Sequence, residues 1–172
     1  MISDIRKMAG VQGAIYFSSK SFERNPNGWS DSLQQHYYRY PAIVPAMPWI
    51  DTGTIAQPVV HVHVGAGDGI GSTLAIENGD TARKIKSFII YAFDKEDSAR
   101  NTSLGSNIRR IIPAVTHKVD YLVMQADLNK QFAVSCIDFV NHESAPVFLA
   151  PIIPAVAKQE ETSAPPSATT KK

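Results

Sequence analysis

The amino-acid sequence predicts a mostly β chain, in which a helix–strand–helix segment precedes an immunoglobulin-like β-sandwich. Seven stretches with strand character follow one another within about a hundred residues, a spacing typical of such sandwiches. They cover residues 58–64, 72–77, 86–93, 108–112, 120–126, 131–139 and 146–150. Turn-forming sequences separate them at residues 65–71, 78–80 and 127–130. Ahead of them, residues 11–17 are apolar on both faces, as expected of a strand inside a parallel sheet.

The first fifty residues predict one helix–strand–helix unit followed by a connector. Residues 2–9 have the periodicity of an amphipathic helix, and Gly10 is a suitable C-cap. After the strand at 11–17, residues 25–28 predict a turn, and Ser30 or Asn27 can cap a helix that continues to about residue 38. This order is typical of an α/β repeat.

Three prolines between residues 41 and 48 predict an extended connector, because proline fixes φ and lacks an N–H. We therefore expect three parts: the strand–helix unit with its connector at 1–50, the sandwich at 51–150, and a disordered tail at 151–172. The tail is rich in Ala, Pro, Ser, Thr and Lys, and it has little apolar surface with which to offset the entropy of ordering.

Composition excludes several classes of function. The chain has 17 Lys+Arg against 16 Asp+Glu and no dense basic patch, which argues against nucleic-acid binding. Cys136 is the only cysteine, so an internal disulfide is impossible, and its apolar surroundings favour a buried small side chain. We expect no membrane span and no cofactor. Residues 1–8 lack the pattern of a secretory signal, so a cytoplasmic location is expected for the chain as written.

Two groups of motifs resemble a known family. In the first half they are residues 13–21 (Gly-Ala-Ile-Tyr-Phe-Ser-Ser-Lys-Ser), 25–29 (Asn-Pro-Asn-Gly-Trp), 37–42 and 47–49. In the second half they are residues 86–93, 132–138 and 141–144. Together they resemble the carboxyl-terminal part of bacterial glycosyl-hydrolase-like lipoproteins of the family 10-like group. That family has a (β/α)8 barrel followed by a fibronectin-type-III-like domain.

The resemblance implies that residues 11–17 are the last barrel strand and that the seven strands form a fibronectin-III-like sandwich. It also implies carbohydrate hydrolysis as the activity of the complete family, whose full-length members are exported and lipid-anchored. The other seven barrel repeats and the acid/base carboxylates have no counterpart here. We therefore expect a truncated protein without catalysis of its own, and no catalytic residue is assigned.

Only a complete barrel would give the strand end at residues 18–20 a role. There, Ser18, Ser19 and Lys20 would line the sugar-binding mouth, since barrel enzymes place their site at the strand carboxyl ends. In the chain as written, these residues more simply end the strand. Glycoside hydrolysis needs two carboxylates, and the nearest acid, Glu23, is a single surface residue.

Two further patterns have plainer interpretations. His61 and His63 share one face of a strand and could form half of a metal site, but alternation with inward-facing valines explains the same pattern. Ser135, Asp138 and His142 suggest a catalytic triad. A regular strand would place Ser135 and Asp138 on opposite faces, so we reject the triad.

Three hypotheses of function remain. The sandwich is an accessory or structural module, or it binds a carbohydrate or a protein, or the chain is the carboxyl-terminal part of a split glycoside hydrolase that needs the missing barrel portion. The 11–17 strand, deprived of sheet neighbours, would also favour a homo-oligomer.

Overall fold

The computed structural model describes residues 2–5, 7–11, 15, 18–66 and 71–152. The chain divides into two units, residues 1–41 and 42–172. The division into domains at residue 51 stays a prediction. Residues 153–172 of the predicted tail lie outside the described part of the chain. Ile152, also assigned to that tail, is 4% exposed and packs in the core, so the ordered chain extends at least this far.

The first unit consists of short helical segments. Helix α1 covers Ile2–Ile5, α2 covers Lys20–Arg24 and α3 covers Trp29–Ser32, with a 3-10 turn at Pro26–Gly28 and a π-helical turn at Leu33–Tyr37. The predicted helix at 2–9 is thus shorter than expected, and Gly10, although it has a left-handed φ of +82°, lies beyond the helix and is not its C-cap. Helix α2 was not predicted, because five residues are too few to show periodicity.

The predicted cap of the helix that follows the turn was wrong. The N-cap of α3 is Gly28, not Ser30 or Asn27, and it makes no side-chain capping hydrogen bond. The Oδ1 of Asn25 accepts a hydrogen bond from the Ser30 backbone N–H at 2.8 Å. The Ser30 hydroxyl donates instead to the carbonyl of Phe22 at 2.7 Å. Asparagine tolerates the left-handed conformation that Asn25 adopts, with φ 41°. Local geometry of this kind is not visible in the sequence.

The predicted buried strand at 11–17 is wrong at the two positions that are described. Val11 and Ile15 lie outside any strand, and they are 43% and 98% exposed. The remaining five residues lie outside the described part. A strand that is apolar on both faces needs a neighbouring strand on each side of it in the sheet, and helices that cover both faces of the sheet. Neither described sheet includes these two positions.

The second unit contains seven strands in two antiparallel sheets. The first sheet has the order β1-β2-β5, formed by Val59–His63, Thr73–Glu77 and Lys118–Leu122. The second has the order β4-β3-β6-β7, formed by Ile108–Pro113, Ile85–Phe93, Gln131–Asp138 and Val147–Phe148. A mostly β chain with two antiparallel sheets, consistent with a β-sandwich, was predicted and is confirmed.

Strand β5 begins and ends earlier than predicted. Its register pairs Lys118 with Glu77 and Leu122 with Thr73, so that every residue of β2 has a partner. A salt bridge of 2.8 Å between Lys118 Nζ and Glu77 Oε1 closes that end of the pair. The residues expected to continue the strand form a 3-10 turn at Gln125–Asp127 instead.

The main core contains side chains of both sheets. Leu74 and Ile76 of β2, with Val123 just after β5, represent the first sheet in this cluster. Phe88 of β3 and Val134 of β6 represent the second sheet. Each such side chain contributes about 1.5–3 kcal/mol when it leaves water. Cys136 is a fully buried member of this cluster, which confirms the interpretation of it as a small core residue.

The other face of the second sheet is apolar as well. Ile89, Tyr91 and Phe93 of β3 form a separate buried cluster with Ala133 and Ile137 of β6. Ile43, from the proline-rich connector, packs against this cluster. The connector therefore lies on the sandwich and covers part of its outer face.

Candidate functional site

An arginine between two carboxylates is the most strongly charged feature of the sandwich. Arg83 lies in the turn between β2 and β3, and its Nη2 donates hydrogen bonds to Asp51 Oδ2 at 2.5 Å and to Asp138 Oδ2 at 2.8 Å. Asp138 ends β6 and is buried, whereas Asp51 follows the connector and is exposed. The arginine thereby joins the connector, the β2–β3 turn and the end of β6.

Both carboxylates of this cluster are held in their ionised form. Burial opposes ionisation of Asp138, but the His142 backbone N–H and the Arg83 guanidinium outweigh burial and lower its pKa. The Gly53 backbone N–H and Arg83 lower the pKa of Asp51. A hydrolytic carboxylate pair instead needs one member with a raised pKa, to donate a proton. The lowered pKa of both carboxylates does not match that requirement.

His142 completes the cluster. Its Nδ1 is buried without a hydrogen-bond partner and lies 3.4 Å from Asp138 Oδ2. Ligand atoms of Asp51, Asp138 and His142 all lie within 4.8 Å of one another, a spacing that could hold a metal ion. The Arg83 guanidinium already binds both carboxylates, so the cluster contains its own cation. We interpret it as a structural ion cluster.

Glu143 accepts two hydrogen bonds on the outer side of the second sheet. Its Oε1 accepts one from the Tyr91 hydroxyl at 2.5 Å and one from the Ser135 hydroxyl at 2.6 Å. Burial, together with this bond to Glu143, raises the pKa of Tyr91. Ser135 therefore binds Glu143 rather than His142, in agreement with rejection of the triad. The bonds tie the chain after β6 back to the sheet.

The strand-end residues that the sequence predicted to line a sugar-binding mouth belong to the first unit. Ser18, Ser19 and Lys20 are exposed at the start of α2, and the Ser19 side chain makes no capping hydrogen bond. Their part in sugar binding stays a prediction.

His61 and His63 are exposed on β1 and pair with Ala75 and Thr73 of β2. The group of Asp51, Asp138 and His142, found among the described residues, includes neither of them. Val60 packs against the core, as the alternation predicted, but Val62 and Val64, also predicted to face inward, are 37% and 48% exposed.

A groove that was not predicted from the sequence lies at one end of the sandwich, and we call it the Phe139 groove. It has a volume of about 240 Å³, and Ile85, Phe88 and Ala114 form its apolar lining. Phe139, just after β6, also lines it and is 64% exposed. No sequence signal marked this groove, since its lining comes from β3 and from turns that are far apart along the chain.

Two basic side chains line the same groove. Lys84 and His117 are both exposed there. Within the described residues, neither side chain forms an ion pair or a hydrogen bond with another residue. The Phe139 groove thus combines an exposed aromatic ring and an apolar lining with two uncommitted polar groups.

The chain is similar to a curated glycosyl hydrolase. It is 30% identical over 142 residues to the glycosyl hydrolase YngK of Bacillus subtilis (strain 168), a match that covers 81% of this chain and 26% of that protein. The chain therefore spans about a quarter of the length of this relative. No protein-family model matches the chain, and no solved structure matches it. The similarity supports a glycosyl-hydrolase-like relationship.

The helices of the described residues are short. None of the helices in this part of the chain is long and apolar enough to cross a bilayer.

Proposed function

We propose that the sandwich is a non-catalytic accessory module of a glycosyl-hydrolase-like protein. The observation that carries this proposal is the state of the Asp51–Asp138 pair. Two close carboxylates are present, but Arg83 lies between them and both have lowered pKa values. A group that stays ionised cannot protonate the leaving oxygen of a glycoside.

The strand order supports a fibronectin-III-like assignment for this module. In an immunoglobulin constant-type sandwich, the fourth strand belongs to the sheet of the first two. Here β4 pairs with β3 and joins the second sheet, so the sandwich has three strands against four. This placement of β4 is the arrangement expected of a fibronectin III module.

A hydrolysis assay tests the absence of catalysis. The purified chain is incubated with a panel of polysaccharides, and the release of reducing ends is measured beside an active glycoside hydrolase as positive control. We expect no release above the buffer blank. Release that persists after repeated purification, and that Asp138→Asn abolishes, would overturn the proposal.

A chimera tests the accessory role. The segment of the Bacillus subtilis relative that matches this chain is replaced by the chain, and the chimera is compared with the relative lacking that segment. An accessory module should raise the melting temperature of the chimera above that of the shortened protein. Equal melting temperatures would contradict the accessory role. If the separately produced chain restores hydrolysis to the shortened protein, the split-enzyme hypothesis replaces ours.

A binding role is the second candidate function. The Phe139 groove favours it, because concave sites with an apolar lining and a few polar groups are typical of ligand binding. Binding and an accessory role are compatible, since an accessory module can hold the polymer that another domain cleaves.

A further inference from the structure

We propose that the Phe139 groove binds one sugar ring that carries a carboxylate, that is, a uronic-acid residue of a polysaccharide. This inference deepens the proposed function and rests on it, because a glycosyl-hydrolase-like protein makes a saccharide the relevant class of ligand. Three features of the groove support it: the volume, the exposed ring of Phe139 and the unpaired cation of Lys84.

The size of the groove sets the size of the ligand. Drug-sized ligands occupy pockets of about 300–1,000 Å³. At about 240 Å³, the Phe139 groove is smaller and suits a single ring. Since it opens to solvent at the sandwich surface, the rest of a polymer can continue outside it.

The Phe139 ring provides a surface for the apolar face of a sugar. Its side chain is 64% exposed, although it belongs to a residue type that is usually buried. The C–H groups on one face of a pyranose make that face apolar, and an aromatic ring offers a flat apolar partner. Ile85 and Phe88 line the same groove and extend this apolar contact.

The charge of the groove selects an acidic sugar over a neutral one. Lys84 is a cation without an ion-pair partner among the described residues, whereas Lys118 and Lys130 are paired with Glu77 and Asp94. A carboxylate on the ligand would supply the missing partner. His117 adds a second nitrogen that can donate a hydrogen bond to the same group or to a hydroxyl.

A titration followed by NMR tests the inference. Glucuronic acid is added to the intact chain, and the backbone amide shifts are followed, with glucose as the neutral comparator and acetate as the free carboxylate. We expect shifts centred on residues 84 and 139 and a Kd on the order of 1 mM for glucuronic acid. Glucose should bind at least about tenfold more weakly, because it lacks the charge-assisted bond to Lys84.

Matched variants test the two named side chains. Lys84→Ala and Phe139→Ala should each weaken glucuronic acid about tenfold or more. Both replaced side chains are exposed, so both variants should keep the wild-type circular dichroism spectrum. The controls are Lys95→Ala, just beyond the opposite end of β3, and Phe148→Ala, an exposed aromatic that pairs with Ala133 near the opposite end of β6; neither should change the Kd.

Three outcomes would overturn the inference. They are an absence of shifts at residues 84 and 139, equal binding of glucose, and acetate binding as strong as that of glucuronic acid, which would indicate a simple anion site. Failure here is distinct from failure of the proposed function, because the latter appears as hydrolysis or as an unstabilised chimera.

Discussion

The guanidinium of Arg83 and the carboxylate of Asp138 form an ion pair at the edge of the sandwich core. Nη2 and Nε of Arg83 lie 2.8 and 3.2 Å from Asp138 Oδ2. The second oxygen of Asp138 accepts hydrogen bonds from the backbone N–H groups of Val140 and His142, at 3.0 and 2.8 Å. A single carboxylate thereby fixes both the β2–β3 turn and the turn after β6.

Asp138→Asn should destabilise the fold. The amide keeps one acceptor oxygen, but it loses the charge that compensates Arg83, and its NH2 group faces N–H donors. We expect a loss of about 2–3 kcal/mol in the free energy of unfolding. Urea denaturation measures it, with Asp120→Asn, an exposed aspartate of β5, as a control that should change stability by less than about 0.5 kcal/mol. Equal losses in both variants would contradict the structural role of Asp138.

Acid should weaken the fold through the same carboxylate. The folded-state pKa of Asp138 is lowered, so it lies below the unfolded-state value of about 3.9. The unfolded chain therefore binds the proton first, and the contribution is complete above about pH 4 and is lost as the pH falls further. Asp51 and Glu77 are shifted in the same direction.

Urea midpoints measured over a series of pH values below neutrality show this loss. Because Asp138→Asn lacks one of the titrating groups, its midpoints should fall less steeply with acid than those of the wild type. Parallel curves for the two proteins would mean that Asp138 does not contribute to the acid sensitivity.

Strand positions were the most predictable part of this fold. Six of the seven strands both begin and end within two residues of the predicted segments, since β-branched and aromatic residues alternate with clear turn signals there. The bounds of β5 differ from the predicted ones because they are set by its pairing with β2, a segment that is distant along the chain. The predicted barrel-type strand at 11–17 relied on local apolarity alone, and Ile15 shows that apolarity does not ensure burial.

The candidate sites were far less predictable. Arg83 and Asp138 are 55 residues apart and Arg83 and Asp51 are 32 apart, and no motif links them. The Phe139 groove likewise combines β3 with the turns that follow β2, β4 and β6. Such sites form only when distant strands pair, and the sequence alone does not show which strands pair.

Cys136 should be inert in the folded protein. Its side chain is fully buried, its Sγ donates to the Ala56 carbonyl at 3.3 Å, and burial raises the pKa of the thiol. Since the thiolate is the reactive species, a thiol reagent should label the native chain only as fast as it opens. As Cys136 is the only cysteine, the labelling rate gives a direct measure of that opening. The urea-unfolded chain is the positive control, and rapid stoichiometric labelling without denaturant would contradict the burial.

Gly79→Ala should destabilise the sandwich through a steric clash with the backbone. Gly79 follows β2, and a Cβ added there would lie 2.0 Å from the carbonyl oxygen of Gln57, the residue that leads into β1. A backbone atom cannot rotate away as a side chain can, so the two segments must separate. We expect a loss of about 1–3 kcal/mol in the free energy of unfolding, measured by urea denaturation. Thr81→Ala, exposed in the same turn, is the control and should change little. Wild-type stability of Gly79→Ala would show that β1 and β2 are not held this close at their ends.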